Sequence, residues 1–339
     1  MKVKTVKLNK NHKNHKKKIS NHRKKHNPIV TKVKRNDGII EYTVKKIMSD
    51  KAIKSRLGTY FPESHYSLIL RKDADVYSID DNNNRELLIS FRKNVLPDSL
   101  CKTGIACLKK AAMKKHDNRG AAAGPLRQSI LPKYANDFSK HVNSNSNKNN
   151  LFRTNGYYSK ITGEFVNNSL SNTSMSNIIG YFDKPDRNIK VNAPQCRETA
   201  FTSQQVDKWV KVIPLIQAID KQFKIFIPDR HKSQLKQARQ TPKFAIKNTA
   251  FSTVTINYNW RTALHTDKGD LPQGFGNLVV LEEGKYHGGY TGFPQYGVCA
   301  DVRHGDFLGM DVHKFHCNTK ITPITKDYSR LSLVCYLRE

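Results

Sequence analysis

The sequence predicts an α+β protein: a β core of the sandwich or jelly-roll type with flanking helices, preceded by an N-terminal α/β extension. Three observations support this. Short β-type segments separated by Gly and Pro turns fill residues 243–339, which is typical of sandwiches and jelly rolls. One long segment, residues 201–226, has the apolar spacing of a helix that packs on a sheet. Strand-like runs followed by a helical run precede residue 117, which predicts mixed structure there.

The first 150 residues divide where the composition changes. Residues 1–38 are rich in Lys, Asn and His with few apolar positions, which predicts a disordered basic arm. Residues 39–138 form the predicted extension, with strands in "YSLILRKDADVYSI" and "ELLISFRKNVL" and a helix over residues 100–116. Residues 139–150, "SKHVNSNSNKNN", are polar and of low complexity. We therefore predict a linker there and a β domain over residues 151–339.

Within the extension, the small-residue segment "NRGAAAGPLR" occupies residues 118–127. Its two glycines and its proline let the backbone approach a ligand or another chain closely. An ordinary loop after a helix explains the composition equally well.

The segment "FTSQQVDKWVKVIPLIQAIDKQFKIF" is the strongest helix signal in the chain. Thr202 and Gln205 fit a capping box at its start, and we expect it to pack on a sheet without contributing chemistry. The chain then changes to short β-type segments. The predicted strands are "FAIKN", "FSTVTINY", "GNLVVLEE", "VCADVR", "DFLGMDVH" and "RLSLVCYL".

Positive charge is the strongest global feature of the chain. The formal net charge is +31, and residues 1–35 contain fourteen Lys or Arg, four His and no acidic residue. The remaining 304 residues therefore keep a net charge of +17. A basic segment on a basic body favours a polyanionic partner, and nucleic acid is the simplest one because its phosphates release counterions on binding.

The cysteines and the hydropathy pattern predict where the protein works. Six cysteines lie scattered with no C-x-x-C pair, and the N-terminus has charge but no apolar signal region. We expect reduced intracellular thiols rather than disulfides. No apolar run reaches the length of a membrane span. The expected protein is a monomer in the nucleus of a eukaryotic host, or otherwise in the cytoplasm, with nucleic acid as its partner and no membrane.

The stretch "RTALHTDKGD" places His265 and Asp267 two residues apart where a predicted strand ends, and His313 and His316 follow downstream. Two histidines and one carboxylate can form a facial triad, which holds Fe(II) and leaves positions open for substrates. A polar turn with a surface histidine is the simpler explanation of H-x-D alone. On the last predicted strand, Arg330 and Ser332 share a face. The forked guanidinium of the arginine and the hydroxyl of the serine suit the distal carboxylate of a dicarboxylate.

Residues 243–339 resemble the catalytic core of the TET/J-binding-protein family of Fe(II)/2-oxoglutarate-dependent nucleic-acid dioxygenases. The resemblance rests on the order of three motifs: H-x-D, then H-x-N-x-x-I, then R-x-S-L-V-x-Y. It extends upstream through residues 151–242, and "FRKNVLP" and "NRGAAAG" resemble segments of viral, phage and algal members. The implied fold is a double-stranded β-helix, or jelly roll, over residues 151–339. The motif stretches are "NYNWRTALHTDKGD", "GGYTGFPQYGV", "VHKFHCNTKITPI" and "RLSLVCYLR".

The resemblance implies roles for individual residues. His265, Asp267 and His316 would be the catalytic iron ligands, with His316 preferred to His313 because the distal family histidine stands in an H-x-N context. Arg330, together with Ser332, would bind 2-oxoglutarate, and O2 would be the other co-substrate.

Two further positions concern the substrate base. Asp270 lies where family members place a polar residue that touches the flipped base. Arg338 lies where cytosine-oxidising members carry a histidine, so this departure leaves thymine and 5-methylcytosine both open, with Arg338 favouring thymine.

The implied activity is hydroxylation of the 5-methyl group of a pyrimidine flipped out of DNA. Two other functions compete with it. One is an Fe(II)/2-oxoglutarate hydroxylase of a protein or small molecule, which the excess positive charge disfavours. The other is a catalytically idle jelly roll that only binds DNA, which the intact ligand set disfavours.

Overall fold

The computed structural model describes residues 27–80, 82–138, 152–183 and 196–339. Most of the predicted basic arm and the whole predicted linker lie outside these residues. Five α-helices are described: α1 (Asp50–Lys54), α2 (Asp98–Ala112), α3 (Ala200–Gln204), α4 (Val206–Phe226) and α5 (Pro228–Gln240).

The strands of the described residues are β1 (Ile29–Lys34), β2 (Ile40–Val44), β3 (Leu68–Leu70), β4 (Ala74–Ile79), β5 (Arg85–Arg92), β6 (Lys115–His116), β7 (Ala135–Phe138), β8 (Arg153–Thr154), β9 (Tyr157–Ser159), β10 (Phe165–Val166), β11 (Leu170–Ser171), β12 (Ser174–Asp183), β13 (Cys196–Glu198), β14 (Thr253–Tyr258), β15 (Gly276–Glu283), β16 (Tyr286–Gly288), β17 (Thr291–Phe293), β18 (Val298–Ala300), β19 (Phe307–Met310), β20 (Cys317–Asn318), β21 (Ile321–Pro323) and β22 (Ser329–Tyr336).

Two sheets form the predicted jelly roll. The large sheet has the order β1-β2-β4-β5-β19-β15-β22-β14-β12-β13, with β6 paired to β12, and the small sheet has the order β20-β17-β18-β3. Apolar residues of both sheets, including Val280, Leu308, Phe293 and Val298, share one core cluster. A packed apolar core therefore fills one end of the space between the two sheets. The candidate functional site opens at the edge of this space.

Helices cover the other face of the large sheet. A second cluster joins α2 and α4 to Leu331, Leu333 and Cys335 of β22. These alternate with Arg330 and Ser332, so β22 has one face toward the helices and one toward the small sheet. The two helices approach closely because Gly104 of α2 has no Cβ, which would come within 2.6 Å of Leu215 and 2.8 Å of Leu281.

The predicted long helix forms, but its start differs from the prediction. Thr199, rather than Thr202, is the N-cap: its Oγ1 accepts a hydrogen bond of 3.3 Å from the Thr202 backbone N–H. A break at Gln205, with φ −122° and ψ 49°, then separates α3 from α4. The capping box is wrong because Thr202 lies inside the first turn, where its hydroxyl accepts from the Gly180 backbone N–H at 2.9 Å.

One segment was not assigned from the sequence, and one predicted strand is wrong. Helix α5 was not expected, because its sequence is polar and buries only His231, Gln234 and Ala238. It begins with Pro228, whose fixed φ suits the first turn of a helix. The segment "FAIKN" is not a strand: residues Pro242–Phe244 form a 3-10 turn.

The N-terminal segment builds part of the same sheets. Residues 29–34, expected in the disordered arm, form β1, which pairs with β2. Strand β5 pairs with β19 in the large sheet, and β3 pairs in parallel with β18 in the small sheet. Residues 39–138 therefore extend the jelly roll, and the boundary predicted at residues 139–150 separates no sheets.

Two global expectations can be compared with the structure. All six cysteines are free thiols, and five of them are buried. Among the described residues, no helix combines the length and the apolar character that crossing a bilayer requires.

Candidate metal centre

Three side chains from two distant segments converge at the edge of the small sheet. His265 follows β14 through a loop, and His316 immediately precedes β20. The two residues form an antiparallel bridge, with the His265 N–H donating to the His316 carbonyl at 3.0 Å and the reverse bond at 2.9 Å. Asp267 is fixed by its own N–H, which donates to the Val312 carbonyl at 3.1 Å. Backbone pairing therefore sets the spacing of all three.

The side chains of His265, Asp267 and His316 form a compact donor set. The His265 Nε2 lies 3.4 Å from Asp267 Oδ1, and the His316 Nε2 lies 3.8 Å from Asp267 Oδ2. One potential ligand atom from each residue lies within 4.8 Å of the others, the one such group of His, Cys or acidic residues among the described residues. Two imidazoles and one carboxylate on one side of a common point fit the facial triad of a non-haem Fe(II) site.

Hydrogen bonds orient both imidazole rings. The Nδ1 of His265 lies 2.8 Å from the Ala263 carbonyl oxygen, and the Nδ1 of His316 lies 3.0 Å from the Lys314 carbonyl oxygen. Because a carbonyl only accepts, each Nδ1 must carry the proton. The Nε2 lone pair of each ring is then available to a metal. In metal-binding histidines the other ring nitrogen usually donates a hydrogen bond in this way to an oxygen outside the coordination shell.

The electrostatic environment favours cation binding at two of the three groups, Asp267 and His316. Burial opposes ionisation of Asp267, but the hydrogen bond from His265 and the neighbouring His316 lower its pKa to about 2. Burial and the charge of His265 lower the pKa of His316 to about 4. Burial also acts to lower the pKa of His265, but its hydrogen bond to Asp267 outweighs this and raises that pKa. A metal at neutral pH therefore meets a carboxylate and a neutral His316, and competes with a proton mainly at His265.

His313, the alternative distal ligand, lies outside this set. Its Nε2 is 3.2 Å from the Leu271 carbonyl oxygen, so its ring is engaged by the backbone. The structure brings His316, and not His313, together with His265 and Asp267.

A cavity of about 530 Å³ opens beside the triad. This volume lies within the range of small-molecule and cofactor sites. Strands β14 and β22 form one wall and the segment 118–122 forms another. The lining residues include the triad, Ser332 and Asn318 deep in the cavity, and Lys268, Asp270 and Arg338 at half-exposed or exposed positions that we call the cavity rim.

Arg330 is a buried cation without an anionic partner. Its side chain is 1% exposed, and its Nη2 donates to the Gly289 carbonyl at 3.2 Å. Its buried Nε has no hydrogen-bond partner, and no carboxylate of the described residues forms an ion pair with it. A buried, uncompensated guanidinium is costly, so this position fits an anionic ligand group.

Ser332 stands next to Arg330 on the same face of β22 and lines the cavity. Its Oγ accepts a hydrogen bond of 3.3 Å from the Asn257 side-chain amide. The Asn257 Oδ1 in turn accepts from Ser176 at 2.8 Å. These bonds hold the Ser332 oxygen in place, so its hydroxyl proton can be donated to a ligand.

Asp270 and Arg338 meet at the cavity rim as an antiparallel backbone bridge. Burial and the nearby Asp267 raise the pKa of Asp270 well above its ordinary value, against the lowering effect of Arg338. Arg338 follows β22 in register with Ser332 and Tyr336, which line the same cavity.

Sequence reasoning missed the contribution of Arg119. It lines the cavity with Asn118, and its buried Nε has no hydrogen-bond partner. Burial lowers the pKa of its guanidinium, and the nearby Tyr336 and Asp267 act in the opposite direction. The signal was present in "NRGAAAGPLR", whose small residues let Ala122 accept the Ala263 N–H at 3.0 Å and so lie against the triad loop.

Comparisons with known proteins agree with this geometry. Residues 177–339 match the Tet_JBP family model, the oxygenase domain of the 2OGFeDO superfamily. "Thymine dioxygenase JBP1-B" of Trypanosoma cruzi (strain CL Brener) is 34% identical over 224 residues, which are 66% of this chain and 25% of that protein. "Thymine dioxygenase JBP1" of Trypanosoma brucei brucei is 37% identical over 165 residues, 48% of this chain and 19% of that protein.

The chain thus spans about a quarter of the length of the first of these relatives. Among solved structures, "NgTET1 in complex with 5mC DNA" aligns over 98% of this chain and 92% of that one, with a TM-score of 0.46 and 13% identity. That likeness is too distant to transfer any residue, whereas the family model covers the triad, Arg330 and both rim residues, Asp270 and Arg338. Residues 177–339 of the chain are therefore similar to the Tet_JBP oxygenase domain of the 2OGFeDO superfamily.

Proposed function

We propose that the protein is an Fe(II)- and 2-oxoglutarate-dependent dioxygenase that hydroxylates the 5-methyl group of a pyrimidine flipped out of DNA. The observation that carries the proposal is an iron-type triad beside a cavity of about 530 Å³. Strand β22, which lines this cavity through Ser332, also carries the buried guanidinium of Arg330 two residues earlier. The two trypanosome relatives are named thymine dioxygenases. The net charge of +31 favours a polyanionic substrate.

The residues divide between the two groups that would occupy the site. Iron would be held by the Nε2 atoms of His265 and His316 and by the Asp267 carboxylate. The distal carboxylate of 2-oxoglutarate would bind the Arg330 fork and the Ser332 hydroxyl, which compensates the buried charge. When bound, iron and 2-oxoglutarate together activate O2 for insertion into an unactivated C–H bond.

The remaining task of this chain is to position the substrate. A methyl group inside a duplex is out of reach, so the nucleotide must leave the stack and enter the cavity. The segment 118–122 and strand β22 then exclude water on two sides of it. Asp270 and Arg338 at the rim would contact the pairing edge of the base.

The choice between thymine and 5-methylcytosine depends on Arg338. The Asp270 carboxyl group complements either base, because it can accept from the N3–H of thymine or from the N4 amino group of 5-methylcytosine. Arg338 only donates, which suits the O4 acceptor of thymine and not the N4 donor of 5-methylcytosine. We therefore propose thymine as the preferred substrate.

The experiment is a competition on one duplex that carries both bases, with products counted by nucleoside mass spectrometry. We expect Fe(II)- and 2-oxoglutarate-dependent formation of 5-hydroxymethyluracil in excess. Arg338→His should shift the product ratio toward 5-hydroxymethylcytosine, because a neutral imidazole can accept from N4. Exclusive conversion of 5-methylcytosine by the wild-type protein would overturn the thymine assignment, and absence of any oxidised base would overturn the proposed function.

A further inference from the structure

Helix α5 (Pro228–Gln240) has a basic face that takes no part in the proposed hydroxylation. Lys232, Lys236 and Arg239 are exposed, and their spacing of four and three residues places them on one side of the helix. The buried residues His231, Gln234 and Ala238 form the opposite side. The helix is therefore polarised, with a packed face inward and a cationic face outward.

Acidic side chains of the described residues do not neutralise the basic face. Helix α5 contains four Lys or Arg but only one acidic residue, Asp229. Within the described part of the chain, Lys232, Lys236 and Arg239 form no ion pair with a carboxylate. Three neighbouring cations in this state attract a polyanion, since each phosphate that they neutralise releases condensed counterions.

The position of α5 connects this face to the cavity. Ala238 packs against Leu271 and Leu337, and these residues are the immediate neighbours of Asp270 and Arg338 at the rim. The Gln234 side chain accepts from the Phe275 N–H at 3.2 Å and donates to the Ala250 carbonyl at 2.8 Å. Arg230 at the start of the helix donates to the Gln273 carbonyl at 3.3 Å. The helix is thus anchored along the segment that leaves the rim.

We propose that the outward face of α5, made of Lys232, Lys236 and Arg239, binds the phosphodiester backbone of the DNA strand that flanks the flipped nucleotide. The inference rests on the proposed function, because it takes the strand to pass over the cavity rim. An α-helix is roughly 10–12 Å wide, so the basic face lies about one helix width beyond Ala238. Phosphates within a few nucleotides of the flipped base are within its reach. Such contacts hold the strand in register and read no sequence.

The test compares two triple variants of the full chain. The first replaces Lys232, Lys236 and Arg239 with Gln, which removes three charges and keeps a good helix former. The matched control replaces Lys285, Lys320 and Lys326 with Gln, three exposed lysines beside the β16–β21 ribbon. That ribbon lies at the Ser329 end of β22, and nine extended residues place Ser329 about 30 Å from Arg338.

Affinity for a thymine-containing duplex of about 20 base pairs is measured across a salt series without Fe(II), and hydroxylation is measured separately. The α5 variant should bind more weakly and show a salt slope shallower by about 2 to 3, since each lost phosphate contact removes about 0.9. The control variant should keep the wild-type slope. On a thymine trinucleotide, which lacks flanking phosphates, the α5 variant should bind and react like the wild type.

Three results would contradict the inference: an unchanged slope in the α5 variant, an equal loss in the control variant, or an equal loss on the trinucleotide. A wild-type protein that binds the duplex through α5 but oxidises no base would instead count against the proposed function, because binding and hydroxylation are read separately. Matching thermal melts of both variants ensure that a lost slope reflects lost contacts.

Discussion

At the scale of single residues, Asp267 would supply the hard oxygen donor of the proposed iron site. Its pKa is lowered to about 2, so it is charged at every pH of interest. Asp267→Ala should lower Fe(II) affinity by more than about 100-fold, beyond the usual effect of losing an outer-shell partner, and abolish turnover. Direct metal titration and product analysis measure the two effects.

His313→Ala is the matched control, because this histidine lies near the triad but bonds to the Leu271 carbonyl. It should keep wild-type iron affinity. Loss of iron in His313→Ala with retention in Asp267→Ala would show that the ligand set is wrongly assigned.

Arg330 should bind the co-substrate 2-oxoglutarate, whereas the triad should bind iron. Arg330→Ala should leave Fe(II) affinity unchanged and raise the 2-oxoglutarate concentration required for half-maximal rate steeply. Arg330→Lys should fail as well, because a lysine ammonium cannot replace the bidentate fork. Titration of 2-oxoglutarate against metal-loaded protein measures the change. A normal 2-oxoglutarate requirement in Arg330→Lys would remove Arg330 from the co-substrate site.

At the scale of elements, the segment 118–127 depends on one buried asparagine. The Asn172 side-chain amide donates to the carbonyls of Ala123 at 3.1 Å and Gly124 at 3.0 Å, and its Oδ1 accepts from the Arg127 N–H at 3.1 Å. The side chain of Asn172, just before β12, therefore holds the loop in place through hydrogen bonds.

Asn172→Asp keeps the accepting oxygen and removes the two donors. It should lower the free energy of unfolding by about 1–3 kcal/mol, the cost of leaving buried carbonyls unpaired, and speed hydrogen exchange over residues 118–127. The exposed Asn167 supplies the control variant, Asn167→Asp, which should change neither. Wild-type exchange in Asn172→Asp would show that other contacts hold the loop.

At the scale of the whole molecule, charge is distributed over both the folded body and the N-terminus. Residues 1–26 contain eleven Lys or Arg and no acidic residue. Deleting them leaves β1 intact, and we expect the salt slope of DNA binding to become shallower by about 0.9 for each residue that had contacted a phosphate. Binding measured across a salt series decides this. An identical slope in the truncated protein would mean that this segment does not touch DNA.

The whole molecule also shows why the N-terminal segment is needed for the fold. Strands β4 and β5 extend the large sheet beyond β19, and β3 completes the small sheet beside β18. Phe91 of β5 and Leu70 of β3 lie in the same core cluster as Phe293. The catalytic motifs at residues 265–338 are therefore supported by chain that precedes them by some 200 positions.

The sequence by itself determined the features whose signals are local. Alternation along β22 predicted that Arg330 and Ser332 share a face, because a strand repeats every two residues. Apolar spacing predicted the helix at residues 201–226 for the same kind of reason. The preference for His316 over His313 came from the family resemblance, in which the distal histidine stands in an H-x-N context, and the structure groups His316 with His265 and Asp267.

Only the tertiary structure decided what depends on partners that are far apart in the chain. The bridge between His265 and His316 joins residues 51 positions apart. That the Arg330 Nε has no hydrogen-bond partner among the described residues is likewise visible only in the folded structure. Arg119, β1 and the polar helix α5 escaped prediction for the same reason. Strand β1 is formed by pairing with β2, and α5 is polar apart from the side that it buries. Of the three features, Arg119 lines the cavity.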